Sequence, residues 1–190
     1  MNLDTTFGRH LLLPHPITEP GAQADLVHDL SVAIARLSAD HLRLTYRLSG
    51  DLEALRLPES RTPARTDGLW RHSCFEAFIG HRGAREYWEY NFSPSGAWAA
   101  YQFSSYREGM APLMKGVPPE IACNTGGETV EVAVTLDLSW LARAYPTRGL
   151  RLGLAAVIED KAQVLSYWAL KHSAEKPDFH HADSFVVELD

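Results

Sequence analysis

Between His41 and Leu48 every second residue is apolar: Leu42, Leu44, Tyr46 and Leu48 alternate with His41, Arg43, Thr45 and Arg47. Side chains on an extended strand point to opposite faces in turn, so this spacing predicts a strand with one buried and one wet side. Antiparallel sheets are the ones that leave a face to water, so the segment asks for that kind of neighbour. The rest of the chain repeats the demand. Leu30 to Leu37 precedes it across Ser38-Ala39-Asp40, a connection short enough for a hairpin. Ile121 to Asn124 returns through Thr125-Gly126-Gly127 to Thr129–Leu136, whose Val130, Val132, Val134 and Leu136 make an inward face. Leu150 to Ile158 is apolar without alternation, as expected of a central strand, and Val164 to Leu170 and Phe185 to Leu189 supply two more. Leu11 to Leu13, ended by Pro14 and Pro16, reads as a short edge strand. The one convincing helix is short: Asp137 or Ser139 caps it, Leu138 and Leu141 share a side, and Pro146 follows its end. About nine to eleven strands with turn signals between them, and no alternating helices, predict an all-β antiparallel sandwich as one domain over residues 1–190.

The stretch from Leu69 to Phe103 concentrates the distinctive chemistry and holds three of the five tryptophans. It reads as three strands: Leu69 to Ile79, Tyr87 to Ser93 and Ala97 to Phe103, the last two joined by a turn on Ser93-Pro94-Ser95-Gly96. Parity puts Phe75, Ala77 and Ile79 on one face and Trp70, His72, Cys74, Glu76 and Phe78 on the other. In the next strand Trp88, Tyr90 and Phe92 lie opposite Tyr87, Glu89 and Asn91. One face is therefore core. The other carries an indole, a carboxylate and an amide, the furnishing of a ligand platform, in which a flat ring packs on a sugar's C–H face and sparse polar groups fix its hydroxyls. The same residues also suit a plain sandwich, with Trp70 filling core and Glu76 paired to an arginine.

Charge and composition remove several classes. A net charge of −6 without a basic run excludes non-specific nucleic-acid binding, which needs clustered Lys and Arg. No window approaches the ~18 apolar residues of a membrane span. The opening MNLDTTFGRHLLLPHP lacks the basic start and continuous apolar run of an export signal, so a cytoplasmic protein is expected. Cys74 and Cys123 are too few to staple the fold and are expected reduced.

Catalytic signatures are missing: no GxSxG elbow, no GxGxxG and no Walker-type loop. Glu76 and Glu89 could imitate the carboxylate pair of a glycosidase, but sequence gives no spacing between them. Tyr167 to Asp183 gathers three of the nine histidines with Lys171, Lys176, Asp178 and Asp183. A metal-dependent hydrolase using His172, His180, His181 and Asp183 is one reading, although adjacent His180 and His181 would point apart on a strand. A solvated loop of hydrogen-bonding histidines is the other. Haem ligation by Met110 or Met114 with a histidine is a further alternative.

Leu69-Trp70-Arg71-His72-Ser73-Cys74-Phe75-Glu76 resembles the LWxHTCFE signature of the bacterial DOMON-like proteins. So do Glu89 to Gly96 with Trp98, Tyr106-Arg107 with Met110, Tyr167 to Leu170, Pro177 to His181 and Asp183-Ser184-Phe185. That family is similar in turn to family 9 carbohydrate-binding modules and to DOMON domains that hold haem or sugars. The resemblance implies a β-sandwich of immunoglobulin-like or jelly-roll type with a ligand site on a concave face. It implies that Trp70 and Trp168 grip a terminal sugar and that Glu76 fixes its hydroxyls. Asn91 belongs to the family's NFSPSG motif. The expectation is a non-catalytic protein that binds a saccharide between Trp70 and Trp168. Glu76, Asn91 and His172 are its polar contacts, the Tyr167–Asp183 loop is one wall, and no cofactor or metal is required. A haem-binding domain is the alternative, and whether the 50–68 loop closes over the site is left open.

Overall fold

The alternating segments form one sheet. The computed structural model describes residues 5–17, 25–145 and 149–189; Pro146 and most of the Ile17–Asp25 loop lie outside them. Strand β1 (Thr5–Leu11) pairs with β3 (Val27–Arg36), β3 with β4 (His41–Gly50), β4 with β10 (Thr129–Asp137) and β10 with β9 (Glu120–Gly126), all antiparallel. The β4–β10 register sets Leu44, Tyr46 and Leu48 opposite Val134, Val132 and Val130. The second sheet runs β2 (Leu13–Pro14), β12 (Leu165–Ala169), β11 (Leu150–Glu159), β5 (Cys74–His81), β6 (Tyr87–Phe92), β7 (Trp98–Phe103) and β8 (Ala111–Pro112). Strand β13 (Val187–Leu189) lies against the opposite end of β11 from β12. The result is an antiparallel all-β sandwich with one four-residue helix, α1 (Ser139–Ala142), whose approach is held by Asp137 Oδ1 accepting from Ser139 N at 2.8 Å. No helix among the described residues is long and apolar enough to cross a membrane.

The core lies between the sheets. Leu42, Leu44, Tyr46 and Leu48 from the first meet Phe75, Ala77 and Ile79, Trp88, Tyr90 and Phe92, and Leu152, Leu154, Ala156 and Ile158 from the second. A second apolar cluster lies on the outer face of the second sheet, built on Phe78, Tyr87, Tyr101, Phe103, Phe179 and Phe185. Burial on both faces explains why β11 shows no alternation and why every residue of β6 is buried. Two connections cover that outer face, residues 104–110 and 170–186, and between them they shape the cavity described below.

Several boundaries differ from the pattern reading. Leu11 to Leu13 is not one strand: β1 ends at Leu11 in one sheet and β2 starts at Leu13 in the other, while buried Leu12 donates its N–H to Leu30 O at 2.8 Å between them. The strand expected from Leu69 starts at Cys74, because Leu69–Arg71 forms a 3-10 turn behind Gly68, whose φ of 78° a side chain would resist. The last strand is shortened to Val187 by a similar turn at Ala182–Ser184. Residues 51–68 contain no strand. They are pinned by isolated bridges, Leu55 to Asp160 and Arg65 to Trp98, and by Arg65 donating to Leu113 O and Ala100 O.

Candidate functional site

The outer face of the second sheet is small at its centre, where Gly153, Ala155 and Ala169 share a face with Cys74. Phe179 and Ser184 pack onto the first three, so the open space lies to one side of them. Around them the registers Glu76–Asn91, Phe78–Glu89 and Val157–Tyr167 make a floor, with Glu76 and Glu89 diagonal neighbours on adjacent strands. The floor opens into a cavity of about 510 Å³ lined at its base by Glu76, Glu89, Val157 and Tyr167. Trp70 and Arg71 on the 3-10 turn form one wall. Arg107 and Met110 form another, and Pro177, Phe179 and His180 a third. Trp70 is braced edge-on by Tyr101 at 5.6 Å, and Tyr101 is held by its hydroxyl donating to Asp67 Oδ1 at 2.8 Å.

Two carboxyls are buried here without a cation of their own. Glu76 is 3% exposed and its Oε1 has no hydrogen-bond partner in the protein. Burial, and then the nearby Glu89 charge, push its pKa well above the carboxylate range, which favours the protonated form that can donate. Burial raises Glu89 too, up to about 7, against the downward pull of a 2.6 Å bond from Asn91 Nδ2 and of the Arg107 charge. Two carboxyls of one site cannot both ionise cheaply, and here their surroundings separate them.

His180 completes the polar set. Its ring meets Phe78 and Phe103 edge-on at 5.1 Å each, and burial holds its pKa down to about 4, helped by Arg107 and opposed by Asp178. Arg107 N donates to the Tyr87 hydroxyl at 3.1 Å, leaving the phenol proton for His180 Nδ1 at 2.9 Å. That assigns the imidazole proton to Nε2, which faces Glu89 Oε2 at 3.8 Å. Asp178 ties the two covering connections together. It accepts from Arg107 Nη2 at 2.8 Å, from His180 N at 3.1 Å and from the Tyr106 hydroxyl. Arg107 sits at φ 56°, an uncommon left-handed backbone for a non-glycine residue, which the Asp178 contacts keep in place.

The structure brings Trp70 and Glu76 into one cavity. Asn91 is wholly buried behind it, meeting Glu89 and, at 3.5 Å, Cys74 Sγ rather than the open space. Trp168 does not face the cavity. It is 5% exposed in the core between the sheets, its indole N–H donating to Ser166 Oγ at 2.9 Å, and its neighbour Tyr167 takes the outward position. The reason is parity, since adjacent strand residues must point apart. His172 also stands away, bonded to Leu13 O at 2.8 Å and edge-on to His15. The histidines of the hydrolase reading are separated: His172 is engaged with Leu13, His180 with Tyr87 and His181 with Asp183 N. Among the described residues no three of His, Cys, Asp and Glu converge as metal ligands would. Residues 50–68 do not line this cavity but a separate polar groove with Ser93 and Ser95.

Arg107 is a lining residue that the pattern reading assigns to no site, whereas Glu89 enters it only as half of a glycosidase pair, His180 only as a metal ligand or within the Tyr167–Asp183 wall, and Tyr167 and Phe179 only within that wall. Glu89 was recoverable, since it shares the Asn91 parity. Arg107, Phe179 and His180 lie in irregular connections where no periodicity points.

No family model and no curated protein sequence matches the chain. A solved structure of a protein from Bacteroides uniformis ATCC 8492, proposed to bind carbohydrate, shares the architecture. It has a TM-score of 0.68 and 16% identity over 93% of this chain and 83% of that one. At that identity the likeness is one of fold.

Proposed function

We propose that the protein is a non-catalytic binding protein that holds a saccharide, or a similar polyhydroxylated small molecule, in the cavity above its second sheet. One observation carries the reading: an aromatic wall at Trp70 and the buried carboxyl of Glu76, one of whose oxygens has no partner in the protein, line the same space of about 510 Å³. A pyranose laid on the indole brings its hydroxyls toward the polar groups that line the cavity, Glu76 among them with one unpartnered oxygen. Glu76 donates, Glu89 accepts and Arg107 donates from the rim, while Tyr167 replaces Trp168 as the second aromatic surface. An uncompensated buried polar atom costs about 1–3 kcal/mol, which a ligand hydroxyl can return on binding. The DOMON-like resemblance of the sequence and the carbohydrate binding proposed for the Bacteroides protein agree with this reading.

The test is a thermal-shift and calorimetric screen of mono- and disaccharides and haem against the native protein and Trp70→Ala. A true ligand at about 100 times its Kd stabilises by roughly 2.7 kcal/mol, which such a screen resolves. Trp70 is half-buried outside the main core, so Trp70→Ala is expected to abolish saccharide binding and to move Tm by only a few degrees. Unfolding of that variant, or binding that survives it, sinks the assignment of the wall. Haem is included because Met110 and His180 line the same cavity. A Soret band that Met110→Leu removes, with no response to sugars, would replace the saccharide reading by a haem one.

A further inference from the structure

A second cavity, of about 470 Å³, opens beside the first, and His180 lines both. Its chemistry is different. Arg85 and Arg151 reach it from the β5–β6 connection and from β11, and Tyr106 and Phe185 supply apolar walls. Arg151 Nε is buried and has no hydrogen-bond partner in the protein. The nearby carboxylates are engaged elsewhere. Glu188, directly across the ladder from Arg151, is held by Arg82 at 2.5 Å, and Glu86 accepts from the Tyr145 hydroxyl. Glycine at position 80 keeps room for the Phe185 ring, which a Cβ there would approach to 3.3 Å. A guanidinium donor shut off from water and left unpaired is costly, and the group that satisfies it best is a planar or tetrahedral oxyanion taken by the fork of N–H donors.

We propose that this second cavity is an oxyanion site, taking the carboxylate, phosphate or sulfate of a small molecule on Arg151 and Arg85 with the organic part against Tyr106 and Phe185. It stands on its own residues and does not require the saccharide reading.

Because phosphate and sulfate stabilise folded proteins generally by exclusion from their surfaces, the measurement is direct calorimetry at constant ionic strength. Inorganic phosphate, sulfate and acetate are titrated into the native protein, Arg151→Met, Arg85→Gln and Trp70→Ala. Saturable binding of at least one anion is expected in the native protein, weakened about tenfold or more in Arg151→Met, as loss of a charge-assisted bond implies. Arg85 is exposed, so Arg85→Gln keeps its fold and reports the same loss in smaller measure even where Arg151→Met fails to fold. Trp70→Ala binds the anion undiminished, which separates this site from the first. The anion bound tightest identifies the ligand's acidic group. No saturable heat with any of the three, or binding that both arginine variants leave unchanged, overturns the proposal.

Discussion

Glu89 and His180 face each other at 3.8 Å with their pKa values moved in opposite directions, and both shifts have the same leading cause, burial. The sign of each follows from linkage. Glu89 titrates at about 7 in the folded protein, against about 4.3 for an ordinary glutamate. Between those values the fold keeps a proton that the unfolded chain has released, so stability falls as pH rises through that window. His180 titrates at about 4 in the fold against an ordinary value of about 6.5, so its contribution is complete above 6.5 and is lost as pH falls toward 4. The two offset one another in the shared range, and above about pH 6.5 only the carboxyls remain. Tm is therefore expected to decline from pH 6.5 to about 7.5, the range in which the folded protein gives up the Glu89 proton. Glu89→Gln removes one titrating group and keeps the acceptor for Asn91, so its profile should be flatter than the native one over that range. Equal slopes for the two proteins would show that Glu89 is not the titrating group. What sequence shows of this pair is limited. Parity puts Glu76 and Glu89 on one face, but the proton each holds depends on coverage by Phe179 and His180 from almost a hundred residues later, and no local pattern carries that.

In strand β12 two neighbouring aromatic residues take opposite roles. Tyr167 and Trp168 alternate, so one faces the cavity and the other the core, and the register Val157–Tyr167 and Ala156–Trp168 decides which. A one-residue slip would exchange them. The family resemblance favours Trp168 as the ligand-gripping ring, whereas its burial with Leu12 and Ala156 makes it structural. The pair separates experimentally. Trp168→Ala leaves a large hole in the core and is expected to cost about 3–5 kcal/mol. Tyr167→Ala, half-buried at the cavity floor, should keep Tm within a few degrees while weakening saccharide binding. Equal stability loss in both variants, or binding lost only with Trp168, would reverse the assignment. Strands were legible wherever one face is wet, as in β4 and β10, because alternation survives there. It disappears in β5, β6 and β11, where both faces are buried, and the 3-10 turn that carries Trp70 has no period of its own. Trp70 was placed with Glu76 by strand parity, yet a turn delivers it to the same cavity.

At the scale of the whole molecule, the sandwich is more than two sheets held by apolar contact. Tyr46, in the middle of the first sheet and fully buried, donates its hydroxyl to Glu76 O in the second at 2.9 Å and packs its ring on Phe75 at 5.1 Å. The far sheet thus holds the backbone of the residue whose side chain enters the cavity. Tyr46→Phe keeps the ring and removes one buried hydrogen bond, at a cost of about 1–3 kcal/mol. For a chain of this size each kcal/mol lowers Tm by roughly 2–4 °C. If the bond also fixes the position of Glu76, saccharide affinity should fall several-fold although Tyr46 lies nowhere near the ligand. Val132→Ala supplies the control, since Val132 is equally buried on the adjacent strand and its side chain has no polar atom to bond with β5. Matching Tm losses in the two variants, with Kd raised only in Tyr46→Phe, would show that the sandwich core positions the site. Unchanged Kd in both would confine the Tyr46 bond to holding the sheets together and leave Glu76 to be fixed by β6 and β11 alone.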